Sequence, residues 1–336
     1  MQFPSWLKAE IIPGLPFRWY GMMYLVSFAV AYLLFKVQVK QRKLDLDKDE
    51  VLNFFFWAII GLLVGARLFS TLFFEPTGLY RQRPWLIFWP FYNGHFTGLQ
   101  GMNYYGGVVG AVVATVIYAR IKKIKILDWG DMLLTGVPLG YTFGRFGNFI
   151  NAELYGRVTK ASWGFLFPTA QRFSVGEEWV TEWASDVGIA IGDGQTLVNL
   201  PRHPTQLYEA LLEGVVLWLI LWFLVRKRKP YDGFIVGLYV VIYGVMRFVV
   251  DYFRMPISAT DFTIRLSGDL PVHFVQSPLN LIPSQFYSLA MIVGGAVFLV
   301  IAARLNQRRL SAEALQADNP TGESRPSGRK LRKRIK

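Results

Sequence analysis

Val51-Leu-Asn-Phe-Phe-Phe-Trp-Ala-Ile-Ile-Gly-Leu-Leu-Val-Gly-Ala-Arg-Leu-Phe-Ser-Thr-Leu-Phe-Phe74 decides the fold. The run exceeds the roughly 20 residues that carry a helix across a bilayer, and Arg67 is its only ionisable side chain. Working outward, comparable apolar runs occupy 19–35, 104–119, 207–225, 234–250 and 286–303, and a weaker one occupies 129–150. Gly, Pro and polar residues in that last run place it among other helices, away from lipid. Only 18% of the 336 residues are charged against 53% hydrophobic, too few charges to clothe two soluble bodies of that size. The expected fold is an all-α integral membrane protein with seven transmembrane helices.

The chain carries 36 Lys+Arg and 23 Asp+Glu, a formal +13. Lys36, Lys40, Arg42, Lys43 and Lys48 follow the first span, Arg120, Lys122, Lys123 and Lys125 follow the third, and Arg226 to Lys229 follow the fifth. With the ten that follow the seventh, these alternate loops hold 23 of the 36 basic residues, so they are expected in the cytoplasm and the N-terminus outside. A nucleic-acid surface would not be divided among four short juxtamembrane segments, whereas anionic inner-leaflet lipid accounts for all of them. The long connections, 75–103, 152–203 and 254–283, then fall outside. The middle one, with Glu177, Glu178, Trp179, Glu182, Trp183 and Asp186, is expected to form a small external head between spans four and five. The domain plan is a seven-span membrane domain over 1–303, with its head at about 152–203, and a basic cytoplasmic tail over 304–336. Pro320, Gly322, Pro326 and Gly328 make that tail read as disordered.

The absence of cysteine removes disulfides, thiolate metal sites, iron–sulfur clusters and any enzyme-thiol nucleophile. The three histidines, His95, His203 and His273, have no metal-ligand spacing, so no metal or cofactor is expected. Ionisable groups within spans are costly and point to function. Arg67, Arg145 and Arg247 fall in the outer half of spans two, four and six, and Gln206, Glu209 and Glu213 in the first turns of span five. The inner half of every span is expected to lack such groups. Arg247, Asp251 and Arg254 share one helix face, as do Gln206, Glu209 and Glu213, and likewise Arg145 and Asn148. Such groups either glue the bundle as ion pairs or hold an anion. Three arginines at one depth, opposed by Glu209, Glu213, Asp251 and Glu153, favour the anion. At the outer leaflet that anion is a phospholipid phosphate, which a guanidinium fork binds well. A second constellation, Gly101-Met-Asn-Tyr-Tyr-Gly-Gly107, leads into span three and is either a close-packing, hydrogen-bonding motif or an interfacial aromatic belt.

Gly144-Arg-Phe-Gly-Asn-Phe-Ile-Asn-Ala-Glu-Leu-Tyr-Gly-Arg157 resembles the signature of the bacterial prolipoprotein diacylglyceryl transferases. The resemblance continues through Arg18-Trp-Tyr-Gly21, residues 101–107, Arg202-His-Pro-Thr-Gln-Leu-Tyr-Glu209, residues 243–254 and Ser284-Gln285, and so spans most of 15–303. It implies a multi-pass enzyme of the bacterial inner membrane that moves the diacylglyceryl group of phosphatidylglycerol onto the lipobox cysteine of a prolipoprotein signal peptide, releasing glycerol 1-phosphate. It also implies that Arg145 and Arg247 contact the lipid phosphate. Asn148 and Glu153 occupy further motif positions with catalytic roles, and Arg254, Tyr20, Gly156, Glu209, Tyr243 and Asp251 occupy substrate-binding ones.

The chain departs from the family pattern at Tyr105, where many members carry a histidine proposed to activate the thiol. A neutral tyrosine is a poor base near pH 7, so Tyr105 is expected to orient lipid or thiol, and the base is unassigned. A free thiol has a pKa of about 8.5, which cationic surroundings can lower. Asp251 stands where glutamate is common. The missing cysteine suits this chemistry, since the reacting thiol belongs to the substrate. The rival function is a membrane transporter or binding protein for an anionic lipid or solute; a transporter predicts ionisable residues through both leaflets, and a binding protein leaves the dense polar motifs unexplained.

Overall fold

Apolar runs closed by Lys, Arg or Gln become helices in the computed structural model, which describes residues 1–12, 18–47, 49–75, 78–92, 94–96, 101–256, 263–264 and 278–318. The helices are α1 (Trp19–Gln41), α2 (Glu50–Phe73), α3 (Tyr104–Lys122), α4 (Ile126–Ile150), α5 (Glu178–Asp186), α6 (Thr205–Val225), α7 (Phe234–Val250) and α8 (Pro283–Asp318). Five of them, α1, α2, α3, α6 and α8, are long and apolar enough to cross a membrane, and α7 is apolar with 17 residues. Leu33, Leu52, Phe56, Val112, Phe223 and Val293 all stand exposed on these helices, a surface that water would penalise and lipid would not. Most of the 254–283 connection and the tail beyond 318 lie outside the described residues.

The helix ends differ from the apolar runs because Lys, Arg, Gln and Glu are good helix formers. The largest difference is α8, which continues to Asp318 through the segment expected to be disordered. Between 304 and 318 Ala, Leu, Gln and Arg outweigh the Pro and Gly that follow, and Arg309 Nε donates to Glu313 Oε1 one turn on at 2.8 Å.

Small residues bring the helices together in pairs. At Gly65 of α2 an added Cβ would lie 2.7 Å from Gly110 Cα of α3, so neither position tolerates a side chain. At the end of the bundle where the basic loops attach, Phe35, Phe54, Phe55, Tyr118, Trp129 and Met132 pack into one aromatic core joining α1, α2, α3 and α4. Beside it, Asp131 accepts from the backbone N–H groups of Gly233 (2.8 Å) and Val236 (3.0 Å), and so caps α7 from α4. Asp128, Asp131 and Asp232 close on the Lys229 ammonium at 2.5, 3.0 and 3.1 Å, which occupies the place a metal ion would take. Asp131, inside the 129–150 run, corrects the expectation that the basic-loop half of every span lacks ionisable residues. With Asp128 and Asp232 it forms a closed lock among α4, Lys229 and the start of α7.

Residues 158–200 form a small unit with its own core of Val158, Phe173, Val180, Ala184, Val198 and Leu200. It comprises α5 and a two-stranded antiparallel sheet, Phe173–Ser174 with Leu197–Val198. Arg202 is fully buried beneath it, donating to Gln171 O at 3.1 Å, with its guanidinium 5.0 Å from the Phe173 ring.

Candidate active site

Three guanidiniums from three segments meet at one buried carboxylate. Glu209, in the first turns of α6, lies 2.8 Å from Arg145 Nε of α4, 2.8 Å from Arg247 Nη1 of α7 and 2.9 Å from Nη1 of Arg254, just beyond α7. Asp251 backs the same cluster, 3.3 Å from Arg247 Nε and 3.8 Å from Arg254 Nε. The carboxylates are 0–1% exposed, while the arginine side chains are 15–25% exposed. The acids therefore lie behind and the guanidiniums face outward.

From this hub a hydrogen-bonded chain runs along α4 into the following turn. Arg145 Nη1 donates to Asn148 Oδ1 at 3.2 Å, and Asn148 Nδ2 donates to Glu153 Oε1 at 2.8 Å. The turn that carries Glu153 is strained, with Ala152 and Leu154 both in the left-handed region. It is held by α6, since Thr205 Oγ1 donates to Leu154 O at 2.9 Å and Gln206 Nε2 to Glu153 O at 2.5 Å. Beside Glu153 opens a cleft of about 470 Å³ lined by Arg18, Tyr20, Gly21 and Asn151. The Tyr20 hydroxyl lies 2.9 Å from that of Tyr24 on α1.

Gly156 has a packing reason. Its N–H donates to His203 O at 2.8 Å, and a Cβ there would press on Phe253 O and lie 2.7 Å from Thr205 Cγ2. The residue pairs with Arg254 across this contact and so sets where that arginine starts. Outside the spans, burial and the Arg157 charge push His203 down to about 4, and its Nδ1 lies 3.0 Å from the Tyr208 hydroxyl. It is a neutral packing group at physiological pH.

Other anticipated residues stand apart. Tyr105, on the first turn of α3, is 55% exposed, with its ring 6.3 Å from that of Tyr287 on α8. Its neighbour Tyr104 lies within electrostatic range of Arg145 and Arg247. Arg67 does not share the arginine cluster. It binds the carbonyls of Ile87 (2.5 Å), Leu86 (3.3 Å) and Gly101 (3.3 Å), fastening the connection between α2 and α3. Of the three arginines grouped in the sequence, Arg145 and Arg247 therefore meet, and Arg254 joins them.

The family model described as prolipoprotein diacylglyceryl transferase matches residues 8–301. The chain belongs to the prolipoprotein diacylglyceryl transferase family. A phosphatidylglycerol–prolipoprotein diacylglyceryl transferase of Treponema pallidum (strain Nichols) is 46% identical over 307 residues, 87% of this chain and 92% of the relative. That of Treponema denticola is 44% identical over 319 residues, 90% and 94% of the two chains. That of Borrelia garinii subsp. bavariensis is 37% identical over 322 residues, 92% and 96%.

One further residue, Tyr141, lines the cluster. Tyr141 Oη donates to Glu213 Oε2 at 2.5 Å, and the Arg145 guanidinium lies 4.6 Å from the Tyr141 ring. Tyr243 packs edge-on to Tyr141 at 6.3 Å and stacks on Tyr239 at 5.8 Å. The α6 backbone is widened to π-type turns over Ala210–Val216, the segment that presents Glu213. Helical spacing carried a signal for it, since Tyr141 stands four before Arg145.

Proposed function

We propose that this chain transfers the diacylglyceryl group of phosphatidylglycerol to the lipobox cysteine thiol of a prolipoprotein, releasing glycerol 1-phosphate, at the outer face of the bacterial inner membrane. Seven spans, with the N-terminus outside, the 152–203 head outside and the 304–336 tail in the cytoplasm, complete the proposal. The observation that carries it is the outward-facing arginine cluster on the family's matched segment.

The cluster supports phosphate binding because its guanidiniums are held from behind. Arg145 uses Nε and Nη1, and Arg247 uses Nε and Nη1, leaving Nη2 of each without a protein partner among the described residues. Those two donors suit a phosphate diester, and they stabilise the charge that grows on the leaving oxygen as the thiolate attacks the glyceryl carbon. Arg254, Glu209 and Asp251 fix the two guanidiniums in place, which lowers the reorganisation the reaction needs. Asn148 connects Arg145 to Glu153, and Glu153 and Tyr20 border the cleft through which a headgroup or the peptide would enter. Tyr243 walls the cluster, Gly156 sets the Arg254 segment, and Tyr105 stands at the mouth between α3 and α8 as an orienting group.

A transport path would need charged groups along its length. Asp128, Asp131 and Lys229 at the other end are instead closed on each other and on backbone N–H groups. The test is purified protein in detergent with phosphatidylglycerol and a lipobox peptide. A diacylglyceryl mass gain on the cysteine together with released glycerol phosphate is expected, and the absence of both sinks the proposal. A reporter fused after Lys229 is expected to be cytoplasmic; an external reporter overturns the topology.

A further inference from the structure

Replacing the family histidine with Tyr105 leaves open what accepts the thiol proton, and the Tyr105 ring packs against that of Tyr287. Charge at the cluster narrows the choice. Arg145, Arg247 and Arg254 face Glu209, Glu213 and Asp251, so a bound phosphate diester adds a negative charge to a balanced set. One carboxylate is then favoured to take up a proton. Glu209 lies within 2.9 Å of three guanidiniums, and Asp251 lies 3.3 Å from Arg247 Nε. Glu213 stands farthest of the three from a cation, with Arg247 Nη1 at 3.6 Å, and it takes a hydrogen bond from the Tyr141 hydroxyl at 2.5 Å.

The titratable and charged groups around Glu213 come from four helices. Tyr141 and Arg145 face it from α4, Glu209 from its own helix, Arg247, Tyr239 and Tyr243 from α7, and Tyr104 from α3. Glu213 is buried and Tyr141 is partly exposed, so the tyrosine is the more accessible of the two. Tyr141 also lies beneath the guanidinium assigned to the lipid phosphate.

We infer that Tyr141 and Glu213 form a proton relay that activates the substrate thiol, an inference that rests on the transferase activity proposed above. The thiol S–H passes its proton to Tyr141 Oη as the tyrosine passes its own to Glu213 Oε2. The resulting thiolate forms the C–S bond at the glyceryl carbon, and the C–O electron pair leaves with the phosphate oxygen. The glycerol phosphate dianion then recovers the proton from Glu213, which returns the relay to its starting state.

The test compares a lipobox peptide with its selenocysteine counterpart, whose selenol is already ionised at neutral pH and needs no base. Wild-type protein, Tyr141→Phe and Glu213→Gln are assayed in detergent with phosphatidylglycerol from pH 6 to 9. General-base catalysis contributes about 10²–10⁴-fold, so each variant is expected to lose at least about 100-fold on the cysteine peptide near pH 7. Its rate should climb about tenfold per pH unit as thiolate forms in solution, while the selenocysteine peptide reacts within a few-fold of wild type. Equal loss on both peptides, or no loss on either, overturns the relay. Tyr141→Phe removes a single oxygen and carries the test alone if Glu213→Gln does not fold. Failure of the wild type on both peptides would instead overturn the transferase proposal itself.

Discussion

Glu209 Oε1 lies 2.8 Å from Arg247 Nη1 and 2.9 Å from Arg254 Nη1, so one buried oxygen serves two guanidiniums while its twin serves Arg145. Glu209→Gln removes that shared counter-charge and leaves the arginines facing one another. Breaking a buried ion pair costs about 3–5 kcal/mol, so the thermal midpoint in detergent is expected to fall and transfer to be lost. A wild-type melting curve would refute Glu209 as the hub.

Arg145 and Arg247 are best tested by lysine. Alanine at either position removes transfer but also strands buried carboxylates, so lost activity alone would not separate binding from folding. Arg145→Lys and Arg247→Lys keep the charge and lose the fork. Both are expected to remain folded and to transfer at least about 100-fold more slowly, mainly through turnover rather than apparent lipid affinity. Wild-type rates would remove the phosphate-clamp role.

Tyr105→Phe is expected to change transfer less than about threefold, because its ring is exposed and meets Tyr287. A large loss with altered pH dependence would give the Tyr105 hydroxyl a place in proton transfer and weaken the relay through Tyr141.

Gly156→Ala forces a methyl group against Phe253 O and the Thr205 side chain. Overpacking of this kind costs about 1–3 kcal/mol, and the displaced Arg254 segment should lower activity more than stability. The check is paired melting and transfer measurements on one preparation. A variant with unchanged activity would show that this contact does not position the arginines.

His203 makes the fold sensitive to mild acid. Its folded-state value is about 4 against an ordinary 6.5, because burial and Arg157 disfavour the imidazolium. Between those values the unfolded chain binds the proton and the folded chain does not, so stability is full above pH 6.5 and declines toward pH 4. Melting curves at pH 7 and pH 5 should differ more for wild type than for His203→Gln. An equal difference would assign the acid sensitivity to other groups.

Apolar length made the helical membrane architecture legible in the sequence, because a bilayer demands long runs of apolar side chains whatever their neighbours are. Helical spacing likewise placed Arg247, Asp251 and Arg254 on one face, and Glu209 and Glu213 on another. The extent of α8 was not legible, since Pro and Gly after 318 masked the helix formers before it. Nor was the lock at Asp131, whose partners Lys229, Gly233 and Val236 lie about a hundred residues away. Depth along a helix is a local property that one sequence records, so the arginines could be found from it. Which carboxylate each arginine meets depends on the rotation and pairing of whole helices. That is why only the tertiary structure took Arg67 out of the cluster, put Glu209 at its centre and set Tyr141 against Glu213.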